Sequence, residues 1–521
     1  MWKRKNAMSD SHAGYRTIHV ISDADKAKAK VEKDAKAAKA AEREKLRSDV
    51  ANQAIKALEI LAATEKSLYR SGVGKRALVE LDHKAGTVEV KPVDKERLWY
   101  LIHNAVPEWD DEKLIALVAR YIMQHRSFEG FRPLEAIIST PAFISGFKFV
   151  GGAPGYDSHT GYFYCQPKEL ADHCFQEHAT PEDAKRAYQH LLDLFSDFPI
   201  PDDGERANLI AILLTIVCRD ALNCLVPSLA IVGNIPSAGK SLLCESLCRI
   251  ALNEELAPFS PPSTDHKWEV RLDALVIRSK RIACLDNIEG YFHKHYLASF
   301  VTSKVRATLS GLEVPNRVTF LLNGNNLTLS RDMTERVIWC KLWSADPGKR
   351  RDNFKIKDLD QYLQEHWADY FDDLVTIVFA WLNAGRPELG RDTVMNKYSH
   401  WERTIGGMLE LCGVTDFLAS QLSNAEEADL EQREMIQFIE SVIERFPEVL
   451  ETGVPIGRIA ELMVPGGAWH QTLSGVHGRN ADNVAKSLGK FLRDRFGRNF
   501  GGWKMSKVRD TAANLLLIGK A

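Results

Sequence analysis

The stretch Ser228 to Ile250, "SLAIVGNIPSAGKSLLCESLCRI", restricts this chain more than any other. An apolar run leads into a loop holding Gly239, Lys240 and Ser241, and a segment with helical spacing follows. Strand, turn, helix is the order a phosphate cradle needs. The turn aims backbone N–H groups at a phosphate, the lysine reaches the outer phosphates, and the serine hydroxyl meets Mg2+. The strict pattern has a glycine where this chain has Asn234. Asparagine tolerates positive φ better than most residues, so Asn234 can fill that turn position, with Gly233 supplying freedom one residue earlier. The expected cradle is Gly233, Asn234, Ser237, Ala238, Gly239, Lys240, Ser241 and Leu242. A chance Gly-Lys-Ser at a helix start is the alternative.

A cradle alone hydrolyses nothing. In "RIACLDN" the apolar residues Ile282 to Leu285 precede Asp286, which puts a carboxylate at the expected C-terminal end of a strand. A magnesium-orienting aspartate belongs there, beside Ser241. Asn287 follows, so the water-activating base lies elsewhere; Glu289 is one candidate and an exposed loop residue is its other reading. In "RVTFLLNGNNLTLSRDMTERVIWCKL" a strand ends in amides, of which Asn325 is suited to position attacking water. Arg336, at the start of the next strand, is expected to stabilise γ-phosphate charge on a neighbouring subunit. Its alternative is a surface pairing with Asp332 or Glu335.

At 521 residues the chain needs about three folded units, since domains run roughly 100–200 residues. Residues 23–66 are dense in Ala, Lys and Glu without Gly or Pro, a helix-propagating composition. Their first half has almost no apolar stripe and reads as a solvated arm (residues 1–66), or as a contact for a partner protein. Residues 67–180 mix short strands and helices. From 181 to 346 strands alternate with helices, which indicates a parallel α/β sheet. Residues 347–425 read as a helical extension, and 426–521 as a small separate unit. The apolar run Leu209 to Cys218 is ten residues, half of what a membrane span requires. The nine cysteines show no Cys-x-x-Cys pair, and Cys244 and Cys248 read as packing residues. A soluble, cytoplasmic protein with no membrane association is expected.

Taken together, these segments resemble the AAA+ motors of superfamily 3 and MCM-like replication helicases, and more closely the replication proteins of phages, plasmids and chromosomal islands. "ACLDNIEG" matches that group's strand ending Asp-Asn, and "VPNRVTFLLNGNNLTLSRDMTER" its later segment. The group usually has Thr where this chain has Asn323, and often Arg-Arg at Glu335 and Arg336. "TPAFISGFKFVGGAPGYDSHTGYFY" and "WERTIGGMLELCGVTDFLAS" resemble flanking segments of the same proteins, so the likeness spans about residues 67–520. It implies an α/β fold: an AAA+ P-loop ATPase core, a mixed α+β N-terminal domain and a C-terminal winged helix. ATP and Mg2+ are the implied cofactors, DNA the partner, and a homo-oligomeric ring, hexameric by expectation, the assembly.

Net charge is −2, yet Lys486 to Arg509 hold eight basic residues and one acid. Helical spacing through "NVAKSLGKFLRDRF", then a hairpin, matches the end of a winged helix. Lys486, Lys490, Arg493, Arg495, Arg498 and Lys504 would meet phosphates there; a solvated basic face is the alternative. The resemblance also implies a channel hairpin before the water-positioning strand, where Lys304, Arg306 and Arg317 are the basic candidates. Two functions share every motif: a ring helicase or replication initiator that separates strands, and a DNA-binding ATP switch, such as a helicase loader, that does not. They divide on whether the hairpin offers free cations. A small-molecule kinase would fit the loop but not Arg336 or the basic C-terminus.

Overall fold

A computed structural model describes residues 23–72, 77–84, 87–233, 238–292, 294–343, 354–423, 430–470, 472–473, 475–493, 495–497, 499–509 and 514–520. The chain divides into two compact units, one of residues 1–71 and 75–133, the other of 72–74 and 134–521.

The first unit opens with α1 (Asp23–Thr64), a helix of 42 residues. Its described side chains up to Asp49 are exposed, as a helix without an apolar stripe must be. From Val50 onward a stripe appears. Val50, Ala54, Ala57 and Leu61 are buried, at the spacing that shares one helix face. They join a core with α2 (Lys95–Ala105) and α3 (Glu112–His125). An antiparallel meander of β1 (Leu68–Ser71), β2 (Leu78–Lys84) and β3 (Thr87–Pro92) accompanies them. The helix is therefore no separate arm throughout. Its last third, from Val50, packs into this unit, which extends to Pro133.

The second unit is built on a parallel sheet. Its strands are β4 (Ser228–Gly233), β5 (Ile282–Phe292), β6 (Thr319–Leu329) and β7 (Val337–Leu342), in the order β5-β6-β4-β7. Each expected strand is present. Helices cover both faces, so the strands read as continuous apolar runs instead of alternating ones. Leu229 and Ile231 point into one core, shared with α4 (Pro181–Leu194), α5 (Asp203–Val217) and α6 (Lys240–Leu252). Ala230 points into the other, shared with α7 (Asp265–Ile277) and α8 (His295–Val301). Helix α5 is buried nearly all round, which accounts for the apolar run from Leu209. Asn208 ties it to the sheet by donating to Trp339 O at 2.9 Å. Among the described residues no helix is long and apolar enough to cross a membrane.

Beyond the sheet, α9 (Leu359–Asn383) and α10 (Ser399–Leu411) complete the first of these cores. The C-terminal residues fold around a core of their own. There the order is α11 (Leu430–Arg445), strand Val454–Pro455, α12 (Ile456–Leu462), α13 (Ala481–Arg493), then strands Asn499–Phe500, Trp503–Arg509 and Asn514–Lys520. The last two strands pair along seven residues. Val454–Pro455 closes the far edge beside Asn514–Lys520.

Candidate functional site

The loop after β4 delivers Gly239 at φ 93° as the N-cap of α6. That left-handed conformation suits glycine. The backbone N–H groups of the helix's first turn are thereby left free of partners four residues back, with the positive end of the dipole behind them. Lys240 is buried at this point, and burial lowers its pKa while Asp286 pulls it back up. Gly233 makes room for it: a Cβ there would lie 3.1 Å from the Lys240 Nζ. Ala238 and Gly239 are half-buried, and Ser241 and Leu242 are exposed. Asn234 and Ser237 lie outside the described residues.

Strand β5 does not stop at Asp286, as its sequence suggested. It runs on to Phe292 through an irregularity in its pairing with β6, between Leu285 and Ile288. The reason is local. Asn287 takes φ 55°, a conformation asparagine adopts more readily than most residues, and its N–H donates to Asp286 Oδ1 at 2.8 Å. Asn287 thus shapes the backbone that presents Asp286. Gly324 is the matching feature on β6, since a Cβ there would stand 2.5 Å from Ile288 O. On the outer side, Asp286 N donates to Phe259 O at 3.0 Å, so the bulge is held from both flanks.

Asn323, whose role the sequence left unassigned, is where the site converges. Its Nδ2 donates to Asp286 Oδ1 at 2.6 Å and to Ser241 Oγ at 3.2 Å. Ser241 on α6 and Asp286 on β5 are thereby brought to one point, beside Lys240. Asn323 Oδ1 is buried with no hydrogen-bond partner. The Ser241 hydroxyl and the Asp286 carboxylate are hard-oxygen donors of the kind Mg2+ takes. The residues present fit that ion. Among the described residues there is no cluster of three or more His, Cys, Asp or Glu side chains arranged to hold a metal.

Asn325 lies on β6 opposite Gly233 and Glu289, but the side chains of Asn325 and Glu289 are outside the described residues. Arg336 is engaged within its own chain. It is buried, its Nη2 stands 2.7 Å from Asp332 Oδ1, Nη1 donates to Asp332 O at 2.8 Å and Nε to Ala298 O at 3.2 Å. All three guanidinium nitrogens thus have partners within the chain. The pairing with Asp332 is the arrangement found.

The hairpin before β6 exists, as strands Val305–Ala307 and Glu313–Pro315, and its cations are mostly committed. Arg306 Nε donates to Asp273 Oδ1 at 2.9 Å, and Arg317 Nε lies 2.7 Å from the buried Asp220, which also meets Arg281. Burial works against the Asp220 carboxylate, yet Arg281 and Arg317 hold it below the ordinary carboxylate value. Lys304 is exposed and donates to Asn223 O at 2.8 Å. The tip presents Leu309 and Leu312 to solvent. Arg306 and Arg317 thus each stand in an ion pair within the chain.

In the C-terminal unit, Val484, Leu488 and Leu492 face inward on α13. Lys486, Lys490 and Arg493 are exposed at i, i+4 and i+7, on one outer face. Arg495 stacks over the Phe491 ring at 3.7 Å, and Lys504 is exposed on the hairpin. Arg498 lies outside the described residues. Cys244 and Cys248 are buried in the core, with Cys284 and burial both raising the Cys244 thiol.

No protein-family profile and no curated protein matches the chain. Among solved structures it is similar to the NrS-1 C-terminal region, at 14% identity over 87% of this chain and 96% of that one, with a TM-score of 0.36. It is also similar to the SCCmec type IV Cch active helicase, at 12% identity over 85% and 90%, with a TM-score of 0.33. A third is the JCV helicase, at 12% identity over 48% and 65%, with a TM-score of 0.22. At such scores the likeness assigns no residue a role, and the chemistry rests on the side chains described above.

Proposed function

We propose that this chain is a Mg2+-dependent ATPase that acts on DNA, as a replication helicase or initiator of a mobile genetic element. One observation carries the reading: Ser241 and Asp286, from different elements, meet through Asn323 at the head of α6, beside the buried Lys240. In this reading Lys240 and the first-turn N–H groups of α6 hold the phosphates, and Ser241 and Asp286 hold Mg2+. When bound, Mg2+ neutralises charge on the β- and γ-phosphates. Asn325, on the strand beside Gly233, is the residue assigned to the attacking water. The exposed face of α13 and the adjacent hairpin, read as a winged helix, bind DNA phosphates through Lys486, Lys490, Arg493 and Lys504. Support for a ring comes from the motif resemblance, and nine free cysteines suit a reducing, cytoplasmic setting.

The ATP-switch reading keeps a specific observation in its favour. Arg306 and Arg317 are ion-paired within the chain, and the hairpin tip is Leu309 and Leu312. Strand displacement on a forked duplex, with Lys240→Ala as control, separates the two. Displacement that needs ATP and Lys240 supports the motor. Hydrolysis without displacement supports the switch, and absence of hydrolysis by the parent protein contradicts both.

A further inference from the structure

We infer that Asn323 is a positioning residue that sets the Mg2+ affinity of the ATP site by holding Ser241 and Asp286 together before the ion arrives. This rests on the Mg2+-ATP reading and goes beyond it by assigning the step to a side chain outside the phosphate-loop and aspartate motifs.

Ser241 is exposed on the first turn of a helix, and Asp286 is half-exposed on an irregular stretch of β5. The Asp286 backbone is held by Phe259 and its carboxylate accepts from Asn287 N–H, but neither contact joins it to Ser241. Asn323 is 2% exposed on β6, which has a paired strand on each side. An amide nitrogen carries two hydrogens, and here the two acceptors are the two oxygens that would bind the cation. The shorter bond, to Asp286, is charge-assisted and strong. The amide edge is electropositive, so it holds two oxygens at close quarters that would otherwise repel. A cation entering beside them meets ligands already gathered, and less ordering accompanies its binding.

The other end of the side chain agrees. Asn323 Oδ1 is buried without a donor, an arrangement that native structures rarely keep without a use. A water bound to Mg2+ is a donor of the kind this oxygen lacks. Threonine at this position would offer one hydroxyl hydrogen in place of two. The substitution therefore changes how many oxygens one side chain can hold, and by that route the strength of the site.

The experiment is a titration of a fluorescent ATP analogue into the parent protein, Asn323→Leu and Asn323→Thr, in EDTA and across a Mg2+ series, with a melting curve for each. Affinity in EDTA is expected to stay within about two-fold. The Mg2+ concentration for half-maximal tightening is expected to rise about 10-fold or more for Asn323→Leu, the range found when groups orienting metal ligands are removed, and less for Asn323→Thr. An unchanged Mg2+ requirement overturns the inference, and so does an equal loss of affinity with and without Mg2+, which marks a merely structural residue. If Asn323→Leu does not melt cooperatively, the Thr variant alone decides, by the same two criteria. Failure of the parent to bind nucleotide overturns the ATP reading itself and is thereby told apart from a failure of the Asn323 assignment.

Discussion

Asn323 Nδ2 donates to Asp286 Oδ1 at 2.6 Å, across the neighbouring strands β6 and β5. The parallel register makes this possible, because Leu285 and Leu322 are partners and the next residue of each strand is one of the pair. Beyond that point β5 shifts its register, so the polar pair sits where the regular sheet ends and the loops of the site begin.

Arg336 gives the first test. Replacing it with alanine removes three hydrogen bonds within the chain, at about 1 kcal/mol each, so a loss of roughly 2–3 kcal/mol of stability is expected by denaturant unfolding. Below the melting transition, hydrolysis is expected to fall less than about 10-fold, not the 10³-fold or more that loss of an arginine finger causes. Mixing Arg336→Ala with Lys240→Ala protein is expected to add nothing. Rescue in that mixture would restore the trans role.

The α4–α9 contact carries a pH dependence. His190 Nδ1 lies 2.7 Å from Asp373 Oδ2, and its ring stacks on Tyr370. Burial pushes the Asp373 carboxyl up to about 7 against the pull of His190, with Asp372 and Asp369 adding to the rise. The folded state thus holds this proton more tightly than the unfolded state, where the ordinary value is 3.8. The stabilisation is complete below that value and is lost as pH rises through about 7. Across this window the parent protein is expected to lose stability relative to Asp373→Asn, by urea unfolding at fixed ionic strength. A difference that does not change with pH would contradict the assignment.

DNA binding by the C-terminal unit is tested by salt. Each phosphate contact adds about 0.9 to the slope of log affinity against log salt. Replacing Lys486, Lys490 and Arg493 with alanine is expected to flatten that slope by roughly 2.7 if all three meet phosphate, with basal ATP hydrolysis unchanged. An unaltered slope would move the DNA contacts to another surface.

The strands and helices around the parallel sheet were legible because each strand is an apolar run bounded by turn residues, and each major helix has a cap or an apolar stripe. Thr180 with Asp183 at the start of α4 is one such signal. Asp286 was legible as a carboxylate after an apolar run, but the strand's continuation to Phe292 was not. It depends on Asn287 taking positive φ, and a short polar residue there reads equally as a loop. Asn323 was hidden for a related reason. Its importance comes from the parallel register that sets it beside Asp286, and pairing across strands leaves no trace in spacing along the chain. The intrachain partners of Arg336 were not legible, because they include the Ala298 carbonyl, on a helix far away in sequence. The burial of α1 from Val50 onward was detectable in the stripe Val50, Ala54, Ala57 and Leu61, which the uniform Ala-Lys-Glu composition obscured.

The most direct test of the account is equilibrium binding of a fluorescent ATP analogue to the parent protein and to Lys240→Ala, with and without Mg2+. Lys240 is buried at the start of α6, where Asp286 offsets part of what burial does to its ammonium. The account predicts that the parent binds the analogue, that Mg2+ tightens binding, and that Lys240→Ala, folded to the same melting temperature within a few degrees, loses both the tight binding and the hydrolysis. Equal affinity and turnover in the two proteins would contradict it.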